Sequence, residues 1–177
     1  MKKIILLFTL VLFTFNSYSQ EKGYIGVGLG YAIPGGDADT IDSGFGMNLI
    51  GAGYMFTEKV GATINWGASS HKTNDKSGVS GLTAGIGYFG IGPLFRFDAG
   101  ENMTIDLKPQ YMSQSTSLTL LGSTVTNTGS GFLLGSSFNF AKQKKWGWGI
   151  DVDYAMGKVE GDKINVFSIR GGFQYRF

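Results

Sequence analysis

The chain contains no cysteine and a single histidine. The missing cysteine excludes disulfides and leaves no thiol for a lipid anchor near the N-terminus, so stability has to come from backbone pairing and packing. Long apolar runs are also scarce. After Ile4 to Phe15 no stretch is long enough for a membrane-spanning helix, which needs about 20 apolar residues. Net charge is small as well. If Lys2 and Lys3 are removed with a leader, basic and acidic residues are equal in number, and nothing electrostatic points to a nucleic-acid partner.

Glycine, in contrast, is abundant, at 29 of 177 residues, about twice its usual share of roughly 7%. The N-terminus has two lysines, an apolar run of about a dozen residues and then Asn16-Ser17-Tyr18-Ser19-Gln20. That order of basic, apolar and small residues is the pattern of a secretory signal peptide. Residues 1–19 are expected to be the leader, cut after Ser19, and 20–177 the mature domain.

From Phe167 every second residue is apolar, aromatic or glycine: Phe167, Ile169, Gly171, Phe173, Tyr175 and Phe177. Period two marks a strand with one apolar and one polar face. The same alternation predicts Tyr24–Ile33, Gly44–Phe56, Val60–Ser69, Gly85–Asp98, Met103–Ser115, Gly131–Ala141 and a strand from Trp146 to about Tyr154. The register of the second strand switches, which calls for a bulge near Gly51. Pro93 sits within the fourth strand and counts against a regular ladder there.

The connections alternate long and short. Polar stretches at Pro34–Ser43, Ser70–Ala84, Gln114–Ser130 and Gly157–Asp162 are separated by tight turns at Thr57–Lys59, Ala99–Asn102 and Lys142–Lys145. Eight antiparallel strands with short turns at one end and longer loops at the other describe a transmembrane β-barrel with up-and-down connections. A soluble barrel would have to hold Phe132, Phe138, Phe140, Trp146 and Trp148 inside, too much bulk for eight strands. With those residues outward, Trp146, Trp148, Phe97, Phe140 and Phe177 form one aromatic girdle. Trp66, Tyr31, Tyr111 and Tyr154 form the other.

The inward face then receives Arg96, Lys108, Arg170 and Arg176 together with Asp106, Asp151 and Asp153. Such charges survive in an interior only when paired. A lumen filled by an ion network is expected, rather than an open pore.

The leader, the strand count, Ile91-Gly-Pro-Leu-Phe-Arg-Phe97 and the terminal Gly172-Phe-Gln-Tyr-Arg-Phe177 resemble the small OmpA/OmpX-type, porin-like outer-membrane barrels of Gram-negative bacteria. The resemblance implies residence among outer-membrane lipid. It also implies that the barrel-assembly machinery reads Phe173, Tyr175 and Phe177 during insertion. Neither a cofactor nor enzymatic activity is implied, and no tethering to the cell wall.

Other motifs weigh less. Gly85-Ile-Gly-Tyr-Phe-Gly90 matches a dinucleotide fingerprint, but strand pattern follows it where a helix is required. Asp37, Asp39 and Asp42 offer oxygens for a hard cation at a spacing that misses the calcium-loop pattern, and Asp39-Thr40-Ile41 resembles an O-glycosylation signal. His71, beside Ser69 and Ser70, is the one residue able to serve as a histidine base in a lipid-modifying enzyme. Leu118, Leu120 and Leu121 interrupt the serine- and threonine-rich third segment. They either cover the barrel mouth or belong to a protruding hairpin that binds a protein or surface ligand. Three roles remain open on sequence: a structural or surface-interaction barrel working through its loops, a narrow transport barrel for small or hydrophobic solutes, and a lipid-modifying barrel enzyme.

Overall fold

A computed structural model describes residues 22–74, 82–120, 123–140, 142 and 144–177. The proposed leader and Leu121 therefore lie outside the described residues. Eight strands follow in chain order: β1 (Gly23–Gly36), β2 (Gly44–Met55), β3 (Val60–Lys72), β4 (Thr83–Asp98), β5 (Met103–Leu120), β6 (Ser123–Phe140), β7 (Trp146–Val159) and β8 (Asp162–Arg176). Each pairs antiparallel with its neighbours in sequence, and β8 closes on β1. Closure reaches the last residue, since Phe177 and Gly23 exchange backbone hydrogen bonds of 2.9 and 3.0 Å. No strand edge is left open within the barrel wall, so the aromatic terminal strand carries no aggregation hazard.

Alternation sorts the side chains as the period requires. Ile25, Val27, Leu29, Tyr31 and Ile33 of β1 are exposed on the outer face. The glycines between them face a narrow interior already occupied from other strands. A Cβ on Gly30, for example, would lie 2.9 Å from Arg170 Cγ.

Several boundaries differ from expectation, three of them as follows. Strands β5 and β6 run to Leu120 and back from Ser123, where a polar loop was expected. The β7–β8 connection is the two-residue turn Glu160–Gly161, with φ of 53° and 102°, instead of a loop from Gly157. Strand β3 continues to Lys72. The physical reason is common to all three: above the membrane both faces of a strand can be wet, so polar, threonine-rich sequence pairs as well as it loops. Lengthened strands therefore replace two of the expected long loops.

The bulge in β2 falls at Leu49, two residues before the expected Gly51. Register shifts between Asn48 and Ile50 against β3, and opposite Gly26 and Gly28 against β1. Leu49 and Ile50 consequently both face outward. In its hydrogen-bonded orientation the Asn48 amide nitrogen donates to Ile50 O at 3.1 Å and Trp66 O at 3.0 Å, fastening the bulge from inside.

The interior is divided along its length. Toward the turn end it is polar, with a small apolar cluster of Tyr24, Met55 and Leu94. Toward the loop end it is apolar, filled by Ile86, Tyr88, Met112, Leu133, Val159, Ile164 and Val166 with small residues between them.

Candidate functional site

Among the described residues three ion pairs occupy the interior. Arg96 and Asp106 stand opposite in register on β4 and β5 and meet through two parallel contacts, Nε to Oδ1 at 2.7 Å and NH2 to Oδ2 at 2.8 Å. Asn139 Nδ2 donates to the same Oδ2 at 3.0 Å. Lys108 Nζ meets Asp151 Oδ1 at 3.1 Å, and the Ser137 hydroxyl donates to that oxygen too. Arg170, with 1% exposure, pairs with Asp153, donates to the Tyr88 hydroxyl and lies 5.8 Å from the Tyr88 ring centre. Arg176 sits near the turn end, where its guanidinium donates to Phe140 O at 3.3 Å and Lys144 O at 3.5 Å.

Between these groups lies a cavity of about 30 Å³, lined by Asn48, Asn65, Lys108, Ser137, Asn139 and Asp151 among others. That is room for roughly one water molecule, not for a solute. On the loop side of it the apolar cluster closes the bore. Met112 and Leu133 are 0% and 1% exposed, and Leu94 near the other end is 0% exposed. The outward alternation of the sequence did not single out these three. Each occupies an interior-phase position between outward residues, so strict application of the period would have found them.

His71 is 2% exposed. Its Nδ1 lies 2.9 Å from Asp42 O and its Nε2 2.7 Å from Ser69 Oγ. A backbone carbonyl only accepts, so Nδ1 carries the proton and Nε2 accepts from the serine. The pair thus ends in a backbone carbonyl in place of a carboxylate, and it pins the β1–β2 connection onto β3. The acidic residues of that connection are spread apart. The Asp37 carboxylate accepts from Lys163 N at 2.8 Å, and Asp39 contributes its backbone carbonyl to Asn74 Nδ2 at 2.9 Å. Among the described residues no three metal-ligating side chains gather. Gly85–Gly90 lies inside β4, with no helix after it.

At the loop end the β5–β6 hairpin rises above β7. The two strands stay paired up to Leu120 and Ser123. Strand β4 covers the β5 side as far as Thr119, whereas β7 covers β6 only as far as Gly129. From Ser123 to Thr128 the outer edge of β6 therefore has no strand beside it among the described residues. Leu118 is 48% and Val125 65% exposed, directly opposite one another, and both continue the inward phase of Met112 and Leu133 above the membrane. Leu120 is placed by its backbone at the tip.

On the lipid face Phe173 is 70% exposed. Tyr175 packs against Trp146 at 5.0 Å and Phe177 at 6.5 Å, and Phe140 stacks on Trp148 at 4.2 Å. These contacts collect the aromatic residues at the turn end.

Compared with known proteins, residues 4–177 match the family described as outer membrane protein beta-barrel domain. Curated protein sequences give no match. Neisserial surface protein A is similar in structure, with a TM-score of 0.70 and 18% identity over 88% of this chain and 97% of its own. Ail, the attachment invasion locus protein of Yersinia pestis, has a TM-score of 0.53 and 15% identity over 88% and 99%. The outer membrane protein OprG of Pseudomonas aeruginosa has 0.54 and 13% over 89% and 97%. At such identities the likeness is one of fold. Ail has also been solved with the heparin analogue sucrose octasulfate.

Proposed function

We propose, for a chain that belongs to the outer membrane protein beta-barrel domain family and resides in the outer membrane, a non-enzymatic role in surface interaction. The β5–β6 hairpin does the binding. The observation that carries this is the free edge Ser123–Thr128 of β6. Its backbone donors and acceptors are available to an added strand, and its sequence Ser-Thr-Val-Thr-Asn-Thr holds no charge or proline to block one. Exposed Leu118 and Val125 supply an apolar contact beside that edge. A complex of the similarly folded Ail with a heparin analogue supports a ligand-binding outer surface on a barrel of this shape.

Insertion is guided by Phe173, Tyr175 and Phe177 as the address read by the assembly machinery, after removal of residues 1–19. The filled bore argues against transport, because apolar side chains close it beyond the ion pairs. His71 has a positioning role on the β1–β2 connection rather than a base's role.

The test replaces Ser117–Asn127 by a short turn in the full chain and compares capture of surface ligands by cells displaying either form. Loss of capture with normal heat-shifted migration of the barrel is expected. Equal capture by the shortened form would refute the assignment to the hairpin.

A further inference from the structure

The β7–β8 hairpin carries a feature that none of these roles uses. Lys158 and Lys163 stand directly opposite one another in register, and both are exposed. Gly157, Val159 and Ile164 beside them are buried, so alternation places both lysine side chains on the outer face of the barrel. Like charges directly across a strand pair repel. A carboxylate could relieve the repulsion, yet the nearby ones are turned elsewhere. Asp37 accepts from the Lys163 backbone N–H at 2.8 Å, and Glu160 accepts from Asn127 Nδ2 at 2.8 Å. Among the described residues neither lysine enters an ion pair.

The surroundings identify the missing counter-charge. Ser130 of β6, also exposed, is the register partner of Lys158 on its other side. One hydroxyl and two ammonium groups thus line up across three adjacent strands, all of them hydrogen-bond donors. Below this line, apart from Asn165 opposite Met156, the outward rows turn apolar: Phe132 beside Met156, then Leu134, Tyr154 and Phe167. Donors above and apolar surface below match an amphiphile standing in a membrane, with its anionic group at the interface and its chains along the wall.

We infer that Lys158, Lys163 and Ser130 bind the phosphate group of a phosphorylated lipid of the outer leaflet. The phosphate accepts from both ammonium groups and from the hydroxyl, which converts a repulsive pair into a shared contact. The inference depends on the outer-membrane location and not on the β5–β6 hairpin, so failure of the hairpin experiment leaves it standing.

The full-length protein in zwitterionic detergent is titrated with lipopolysaccharide, with the same lipopolysaccharide after enzymatic dephosphorylation, and with inorganic phosphate. The readout is the temperature at which the fast-migrating folded band is lost. Phosphorylated lipid is expected to raise that temperature, and the other two are not. In K158Q/K163Q the half-saturating concentration should rise by about thirtyfold, from roughly fivefold per lysine at an anionic surface. K158R/K163R should titrate like the wild type, as should K144Q/K145Q at the opposite end of the barrel. Without lipid, K158Q/K163Q should be at least as stable as the wild type, because the repulsion is gone. An equal response to dephosphorylated lipid, or an unchanged titration of K158Q/K163Q, would overturn the inference. Inorganic phosphate alone reproducing the shift would reduce the site to a free-anion site and overturn it as well.

Discussion

Replacing Arg170 by methionine should cost about 3–5 kcal/mol, the range for removing one partner of a buried ion pair. Arg170 and Asp153 have side-chain exposures of 1% and 5%, so water cannot take over the carboxylate's solvation. Methionine keeps much of the side-chain volume, which limits any cavity contribution, and the Tyr88 hydroxyl loses one donor, worth about 1 kcal/mol. Replacing both partners, as in R170M/D153L, removes the stranded charge altogether. Exchanging a whole buried pair for apolar residues is often neutral, or stabilising by about 1–4 kcal/mol, so the double variant should recover most of the loss. Urea unfolding of the barrel in lipid vesicles, followed by fluorescence of Trp66, Trp146 and Trp148 and by gel migration, measures all three free energies. The quantity that decides is how much of the single variant's loss the double variant recovers. A single variant within about 1 kcal/mol of the wild type, or a double variant no better than the single, would mean that the pair behaves as if solvated and that the bore is wet.

Two further outcomes follow from the same structure. Phe177→Ser keeps the backbone bonds to Gly23, so the folded barrel should lose little stability, while the yield of insertion by the assembly machinery should fall several-fold; normal assembly would count against an address at Phe173, Tyr175 and Phe177. In planar bilayers the wild type should carry no steady current, and M112A/L133A should admit ions by thinning the apolar closure, at about 2–5 kcal/mol of stability per truncation. Steady wild-type currents would restore the transport alternative.

The wall of this barrel was legible in its sequence because lipid outside and a narrow bore inside impose one strict rule, outward bulk and inward small or polar residues. That rule produced the eight strands and the outward aromatic faces. Above the membrane the rule lapses, and with it the boundaries: Ser123–Thr128 and Gly157–Val159 read as loop by polarity and pair as strand. The partner of an inward charge was harder to read than its direction. Asp151 faces Arg170 in register, yet its contact is with Lys108 on β5, because the bore is narrow enough for side chains to meet across it. Lys158 and Lys163 are five residues apart, a separation that means nothing until a two-residue turn makes them opposite.

The two mid-strand prolines show how an apparent violation becomes part of the design. Ladder pairs between β4 and β5 stop after Ile91 with Tyr111 and resume at Phe95 with Leu107 without any shift of register. Continuing the count across the gap sets Pro93 against Pro109, two residues that lack an N–H. Each proline leaves the carbonyl opposite it on the other strand without its donor in the lipid layer, where such losses are costly. Opposing the two prolines confines the interruption to one place, while the other sides of both strands remain paired, Pro93 with Ala62 and Pro109 with Leu134. On the inner side of the same gap Leu94, Lys108 and Gln110 are all buried. Beside the gap the Arg96–Asp106 ion pair joins β4 to β5 through side chains. The Arg96–Asp106 ion pair thus acts on the wall as well as on the lumen.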